Sequence, residues 1–171
     1  MGFMFAFASN FNQPLDDWNV ASVTNMMKMF SSATNFNQPI IDWDVASVNY
    51  MGYMFQFAST FNQPLNDWNV ASVTDMGFMF AFASNFNQCL STWADKTPID
   101  VDVYNIFYYS DCPNKDAKAT VSPWCQGEDE QCFAPSATPS DFPSILPTNL
   151  PSNAPTTSPT KKQKKKSKSK K

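Results

Sequence analysis

The chain has 171 residues with twelve lysines, fifteen acidic residues and neither arginine nor histidine, so it lacks the commonest general base, the commonest neutral metal ligand and the planar fork that grips phosphates. Its formal charge of −3 averages two opposite regions: residues 1–160 hold four lysines against fifteen acids, and the last eleven positions hold eight lysines. No apolar run approaches the roughly 20 residues that span a bilayer, and the first residues have neither the basic nor the plain apolar segment of a signal peptide. Catalysis and a membrane span are therefore not expected.

The N-terminal stretch MGFMFAFASN, residues 1–10, returns letter for letter at residues 76–85. After the first copy the phrase FNQPLDDWNVASVTNMMKMF begins at Phe11, FNQPIIDWDVASVNYMGYMF at Phe36 and FNQPLNDWNVASVTDMGFMF at Phe61, and FNQCLSTW opens a fourth copy at Phe86. The period is 25 residues. The organisation predicted is a repeat array over 1–93, made of a partial repeat 1–10, repeats 11–35, 36–60 and 61–85, and the start of a fourth over 86–93. A degenerate half-repeat with a cysteine cap then covers 94–133, a Pro/Ser/Thr-rich stalk or linker 134–160, and a polylysine tail 161–171. Met1 shares its register with Met26, Met51 and Met76. That position is expected of an internal methionine in a longer protein.

Within a unit the apolar spacing changes midway. Trp18 and Val20 alternate with Asp17, Asn19 and Ala21, the pattern of a short strand. Met26, Met29, Phe30 and Ala33 then fall at i, i+3, i+4 and i+7, the stripe of a short helix, with Thr24, Asn49 and Thr74 placed to cap its start in successive copies. One strand and one short helix cannot cover their own apolar sides, so each copy needs its neighbours. The fold class expected is α/β: a short leucine-rich-repeat-like solenoid with strand, turn and helix in each repeat, a Cys-containing C-terminal cap and a disordered tail. The Met and aromatic stripes are read as core packing. Asn12, Asn37, Asn62 and Asn87, each followed by Gln, would stand in register with their amides bonding to the turns above and below.

The pattern carried by Leu15, Trp18, Val20, Val23, Met26, Met29, Phe30, Ala33 and Phe36, repeated 25 residues on, resembles the repeat of the BspA-like leucine-rich-repeat surface proteins, a group that includes many mycoplasma lipoproteins of unknown function. The resemblance covers residues 1 to about 93. It implies a right-handed leucine-rich-repeat-like solenoid on a cell surface, with adhesion or recognition as its role, and it brings no catalytic residues. After Trp93 the chain departs from the pattern, and Ile106 and Phe107 take the places of Met79 and Phe80 two residues late. The ending DCPN…SPWCQ…C and the PSDFPS, PTNLPS and PTTSPT stretches resemble the array ends of secreted algal proteins and the Pro-Thr/Ser stalks of diatom surface proteins.

Four cysteines, Cys89, Cys112, Cys125 and Cys132, permit three pairings. Cys112 with Cys125 and Cys89 with Cys132 is the preferred pairing, which would pin the last turn under a cap in an oxidising compartment. Zinc is disfavoured because there is no C-x2-C pair and no His, while four free thiols would suit a cytosolic protein. The stalk is too poor in apolar residues to fold, its hydroxyls suit O-linked sugars, and the chain has no N-glycosylation sequon. Lys161, Lys162, Lys164, Lys165, Lys166, Lys168, Lys170 and Lys171 form the basic tail. It could meet anionic polysaccharide, anionic lipid or silica, fold back on the acidic body, or only solubilise. Nucleic acid is not the preferred partner, because an acidic body repels the same polyanion.

Asp17, Asn19, Asp42, Asp44, Asp67 and Asn69 are the candidate ligand face, pointing away from Trp and Val on the expected strands. Stacking would set Asp17, Asp42 and Asp67 in a column with roughly 5 Å between neighbours. That column suits Ca²⁺ or a cationic ligand, and the competing reading has each Asp capping its own loop. No other cofactor is implied. The function expected is non-enzymatic adhesion or recognition at the cell surface or outside the cell, by a monomer whose repeat face binds a protein or glycan and whose tail contacts an anionic matrix. This localisation assumes a signal peptide ahead of Met1. With Met1 as the true start, the reading becomes an intracellular interaction scaffold in cytoplasm or nucleus with a basic targeting tail, or a fragment of a larger gene.

Overall fold

The computed structural model describes residues 1–113, 115, 124 and 125. The chain divides into two units, Met1–Ala134 and Pro135–Lys171, of which the second lies outside the described residues together with the expected stalk and basic tail.

The α/β architecture expected of each repeat is not formed. Among the described residues there is no α-helix and no strand: the regular element is one turn of 3-10 helix, Ser91–Trp93, and strand-like pairing is confined to the parallel bridges Asn25 to Tyr50, Tyr50 to Asp75 and Asp75 to Asp102. In place of a strand, turns close on the N–H groups of Trp18 and Val23, which donate to Leu15 and Val20 carbonyls at 3.1 and 2.8 Å.

The backbone of residues 26–33 shows why a helical spacing is not a helix here. The N–H groups of Met26, Lys28, Phe30 and Ser32 leave their own coil and donate to Tyr50, Gly52, Met54 and Gln56 carbonyls at 2.8, 3.0, 2.9 and 2.7 Å. Those of Met29, Ser31 and Ala33 turn back three residues to Met26, Lys28 and Phe30 at 3.1, 3.1 and 3.0 Å. An α-helix needs each N–H bonded four residues back. Here half of them stitch one coil to the next, and the rest close a run of tight turns. Lys28 and Ser32 stand at the third position of two such turns with φ of 56° and 60°, as a type II turn demands. Because these turns recur every four residues, they place Met26, Met29, Phe30 and Ala33 on one side, and all four are buried.

The same pattern recurs in the next coil, where Met51, Tyr53, Phe55 and Phe57 donate to Asp75, Gly77, Met79 and Ala81. Substitution can decide between helix and turn by its sign. Replacing Ser32 by Gly in a helix would cost about 0.5 kcal/mol, whereas at a left-handed position it relieves roughly 1 kcal/mol of backbone strain. Ser32→Gly is therefore expected to leave stability unchanged or raise it in urea unfolding. A clear loss would contradict the turn ladder.

Packing follows the stack. Phe30 lies on Phe36, Phe55 on Phe61 and Phe80 on Phe86 at 4.0, 4.0 and 3.9 Å between ring centroids, and successive coils meet through Phe30–Phe55 at 5.6 Å and Phe55–Phe80 at 5.5 Å. Buried indoles of Trp43, Trp68 and Trp93 donate to carbonyls of Leu15, Ile40 and Leu65 one coil back, at 2.9, 3.0 and 3.0 Å, so each tryptophan seals two coils and satisfies its own N–H.

On another side the asparagines form the ladder that their register suggests. The N–H groups of Asn37, Asn62 and Asn87 donate to Oδ1 of Asn12, Asn37 and Asn62 at 2.9, 2.9 and 3.1 Å, and the side-chain amides of Gln38, Gln63 and Gln88 reach the same oxygens. Thr24, Asn49 and Thr74 do not cap helices. The Thr24 carbonyl accepts the Asn49 N–H, the Asn49 amide donates to Ser72, and the Thr74 hydroxyl donates to Asn49, all across coils.

The last coil is two residues longer, yet Phe107 stacks on Phe80 at 5.7 Å and Phe80 donates to Ile106. It is closed by a disulfide between Cys112 and Cys125, and Trp124 beside it is buried, accepting the Leu90 N–H at 3.0 Å and meeting Trp93 edge-on at 5.9 Å. Cys89 is also disulfide-bonded, while Cys132, its expected partner, lies outside the described residues. Reduction is expected to lower the melting temperature, by the equivalent of about 2–4 kcal/mol for each bridge. An unchanged melt in reductant would show that the cap adds nothing to the stack.

Candidate functional site: an outward aromatic ladder

Each coil carries two left-handed residues four apart. They are Phe3 and Phe7, Lys28 and Ser32, Tyr53 and Phe57, Phe78 and Phe82, and finally Asn105 and Tyr109, with φ between 52° and 63°. Among the described residues no glycine has a positive φ. A left-handed conformation costs an L-residue roughly 1–2 kcal/mol, and turns of this type ordinarily place Gly there. Instead most of these positions hold an aromatic ring.

The alternation of the backbone explains where the rings go. Met54, Phe55 and Ala58 are buried, whereas Phe57 between them is 44% exposed. Repetition then lines the outward side chains into two files. In one, Tyr53 stacks on Phe78 at 5.1 Å and Tyr104 meets Phe78 edge-on at 5.4 Å. In the other, Phe57 stacks on Phe82 at 4.6 Å and Phe82 on Tyr109 at 5.3 Å. Tyr108 packs edge-on against Tyr109 at 4.5 Å, and the charge Tyr109 would carry, then the hydrogen bond to it, hold the Tyr108 hydroxyl above the usual tyrosine range. Rings stacked this way spend their faces on each other and turn their edges to solvent.

Both files change character one coil earlier. At the first, Lys28 stands where a ring would be, its Nζ 5.4 Å from the centre of Phe3 and 5.0 Å from that of Tyr53, within cation–π range of both. In the second, Ser32 stands between Phe7 and Phe57. Exposed (Phe3, Phe7, Phe57, Tyr109) and half-buried (Tyr53, Phe78, Phe82) aromatics on strained backbone are the feature of this surface that packing does not explain, and such outliers gather at functional sites.

Oδ1 of Asn19, Asp44 and Asn69 accepts the N–H of Ala21, Ala46 and Ala71 at 3.1, 3.1 and 3.2 Å, so these three cap their own turns. Asp17, Asp42 and Asp67 are exposed, and Asp67 accepts a hydrogen bond from the Asn66 amide at 2.8 Å. Among the described residues no three acidic, cysteine or histidine side chains come together to hold a metal. Lys161 to Lys171 lie outside the described residues.

Helical spacing in the sequence traces one buried stripe and leaves the ladder residues unmarked. The signal that could have found it is Phe78-x-Phe80-x-Phe82: a helix stripe has room for the middle ring and leaves the outer two without a place.

No helix among the described residues is long and apolar enough to cross a membrane. No curated protein and no solved structure matches the chain. A family model described as "Mycoplasma protein of unknown function, DUF285" matches residues 1–120, the repeats and the closing coil together. That match agrees with the resemblance carried by the 25-residue pattern, though it does not single out the BspA-like leucine-rich-repeat proteins. By this match the chain belongs to the mycoplasma family of unknown function DUF285.

Proposed function

We propose that the protein is a non-enzymatic recognition protein of the cell surface or extracellular space, and that the aromatic ladder is the face that meets its partner. The observation that carries this reading is the outward placement of Phe3, Phe7, Tyr53, Phe57, Phe78, Phe82 and Tyr109 at left-handed positions, where the fold alone would favour glycine. The disulfide that closes the last coil supports an oxidising compartment, in keeping with the surface assignment. In this reading the polylysine end attaches the chain to an anionic matrix of polysaccharide, lipid or silica.

The test compares the full chain with a variant carrying Tyr53→Ser, Phe57→Ser, Phe78→Ser and Phe82→Ser, on surfaces bearing immobilised polylysine, chitin, cellulose and heparin. Retention on at least one surface, lost by a variant that still melts cooperatively, is the expected result. Equal retention of both proteins on every surface, or retention of neither, overturns the ladder as a recognition face.

A further inference from the structure

Resting on that reading, one place on the ladder differs from the rest in what it offers a ligand. Phe7, Ser32 and Phe57 are equivalent positions on three successive coils: φ is 63°, 60° and 59°, and their N–H groups donate to Ser31, Gln56 and Ala81 at 2.7, 2.7 and 2.9 Å. Hydrogen-bonded coils lie about 4.8 Å apart, so Phe7 and Phe57 stand roughly 10 Å from each other across the short Ser32 side chain. Phe57 gives one face to Phe82 at 4.6 Å and has the other toward the Ser32 level. Phe7 is 77% exposed.

The neighbouring file shows what this separation accommodates. There Lys28 occupies the middle position between Phe3 and Tyr53, and its ammonium lies 5.4 and 5.0 Å from the two ring centres. Two ring faces two coils apart are therefore spaced to hold one ammonium between them, each within the reach of a cation–π contact. In the second file residue 32 is serine, so no lysine among the described residues stands at that level.

We propose that Phe7, Ser32 and Phe57 form a receptor for an ammonium group, and that its ligand is a lysine side chain of a lysine-rich polypeptide. Charge favours the same partner. Residues 1–113 hold two lysines against ten aspartates, of which Asp17, Asp42, Asp44 and Asp67 are exposed, so a polycation is drawn to the stack. A glycan is the poorer fit. Sugars stack on ring faces, and along the files those faces are taken by neighbouring rings.

The experiment measures the anisotropy of a labelled hexalysine peptide against the full chain at low salt, beside the variants Ser32→Phe and Phe7→Ala/Phe57→Ala. Ser32→Phe continues the ring file, changes no charge and is expected to keep the melting temperature. It should weaken hexalysine binding roughly fivefold or more, as should the double alanine variant. Equal affinity of wild type and Ser32→Phe would mean attraction by charge alone and would overturn the receptor, as would the absence of hexalysine binding. If hexalysine is indifferent to Ser32→Phe while chitin or cellulose retention still depends on Tyr53, Phe57, Phe78 and Phe82, the ladder remains a recognition face and only the ammonium receptor falls.

Discussion

Phe55→Ala is expected to destabilise the stack by about 3–5 kcal/mol, the range for removing a buried phenylalanine. Its ring is fully buried, 4.0 Å from Phe61 in its own coil and 5.6 and 5.5 Å from Phe30 and Phe80 in the coils on either side. The cavity would therefore open at two interfaces at once. At a size of about 110 residues, each kcal/mol shifts the melting temperature by roughly 4 °C, so the midpoint should fall by about 12–20 °C. Stability in a repeat array passes only between neighbours, and a gap in the middle should also uncouple the two halves and broaden the transition. Hydrogen exchange locates the damage: the N–H groups of Phe55 and Phe57, bonded to Met79 and Ala81, should lose protection first. A shift under about 5 °C would place Phe55 outside the packed core.

The second large effect is predicted at a glycine. Gly52 is buried, and a Cβ built there would stand 2.8 and 2.9 Å from the carboxylate oxygens of Asp75 in the next coil. Its φ is not positive, so glycine is needed for space and not for conformational freedom. The carboxylate is held in place because its Oδ1 accepts the Gly77 N–H at 2.9 Å. Asn25 holds the N–H of Met27 in the same way and lies 3.2 Å from a Cβ at Gly2. Where the next coil carries Tyr50 in place of Asn or Asp, the glycine position is taken by Met27.

The Asx cap of the next coil therefore crowds a Cβ at Gly52 most, less at Gly2, and not at Gly77, where a Cβ would meet the Asp102 carboxylate at an ordinary 3.6 Å. Gly52→Ala should cost about 1–3 kcal/mol by pushing Asp75 off its cap. Adding Asp75→Tyr, which copies the Tyr50 arrangement, should recover part of that loss, with a coupling of about 0.5–3 kcal/mol in a double-mutant cycle. Strict additivity of the two changes would contradict the account.

What could be read from residues alone was the stacking and much of what it buries. The 25-residue period, the core stripe of Met26, Met29, Phe30 and Ala33, and the in-register asparagines all follow from side-chain spacing, which survives whatever path the backbone takes. The path itself was not legible. Turns that recur every four residues imitate helical periodicity, and the residues at their third positions, such as Lys28, Tyr53 and Phe78, belong to none of the types that mark a left-handed turn. The aromatic ladder shared that fate, since its rings become visible as a surface only once alternate N–H groups are known to leave the coil. On the acidic side, Asn19, Asp44 and Asn69 were legible as positions, while their use as caps depends on local turns that composition does not specify.

The near absence of helix and strand among the described residues has a practical consequence for anyone handling the protein. Far-ultraviolet circular dichroism responds to runs of helical or extended dihedrals, and this backbone interrupts such runs with left-handed residues four apart in every coil. A folded sample should thus give a weak, featureless spectrum that passes for a random chain. Near-ultraviolet signals from its locked tryptophans and resistance to proteases would say otherwise, and purification guided by far-ultraviolet ellipticity alone would discard native material.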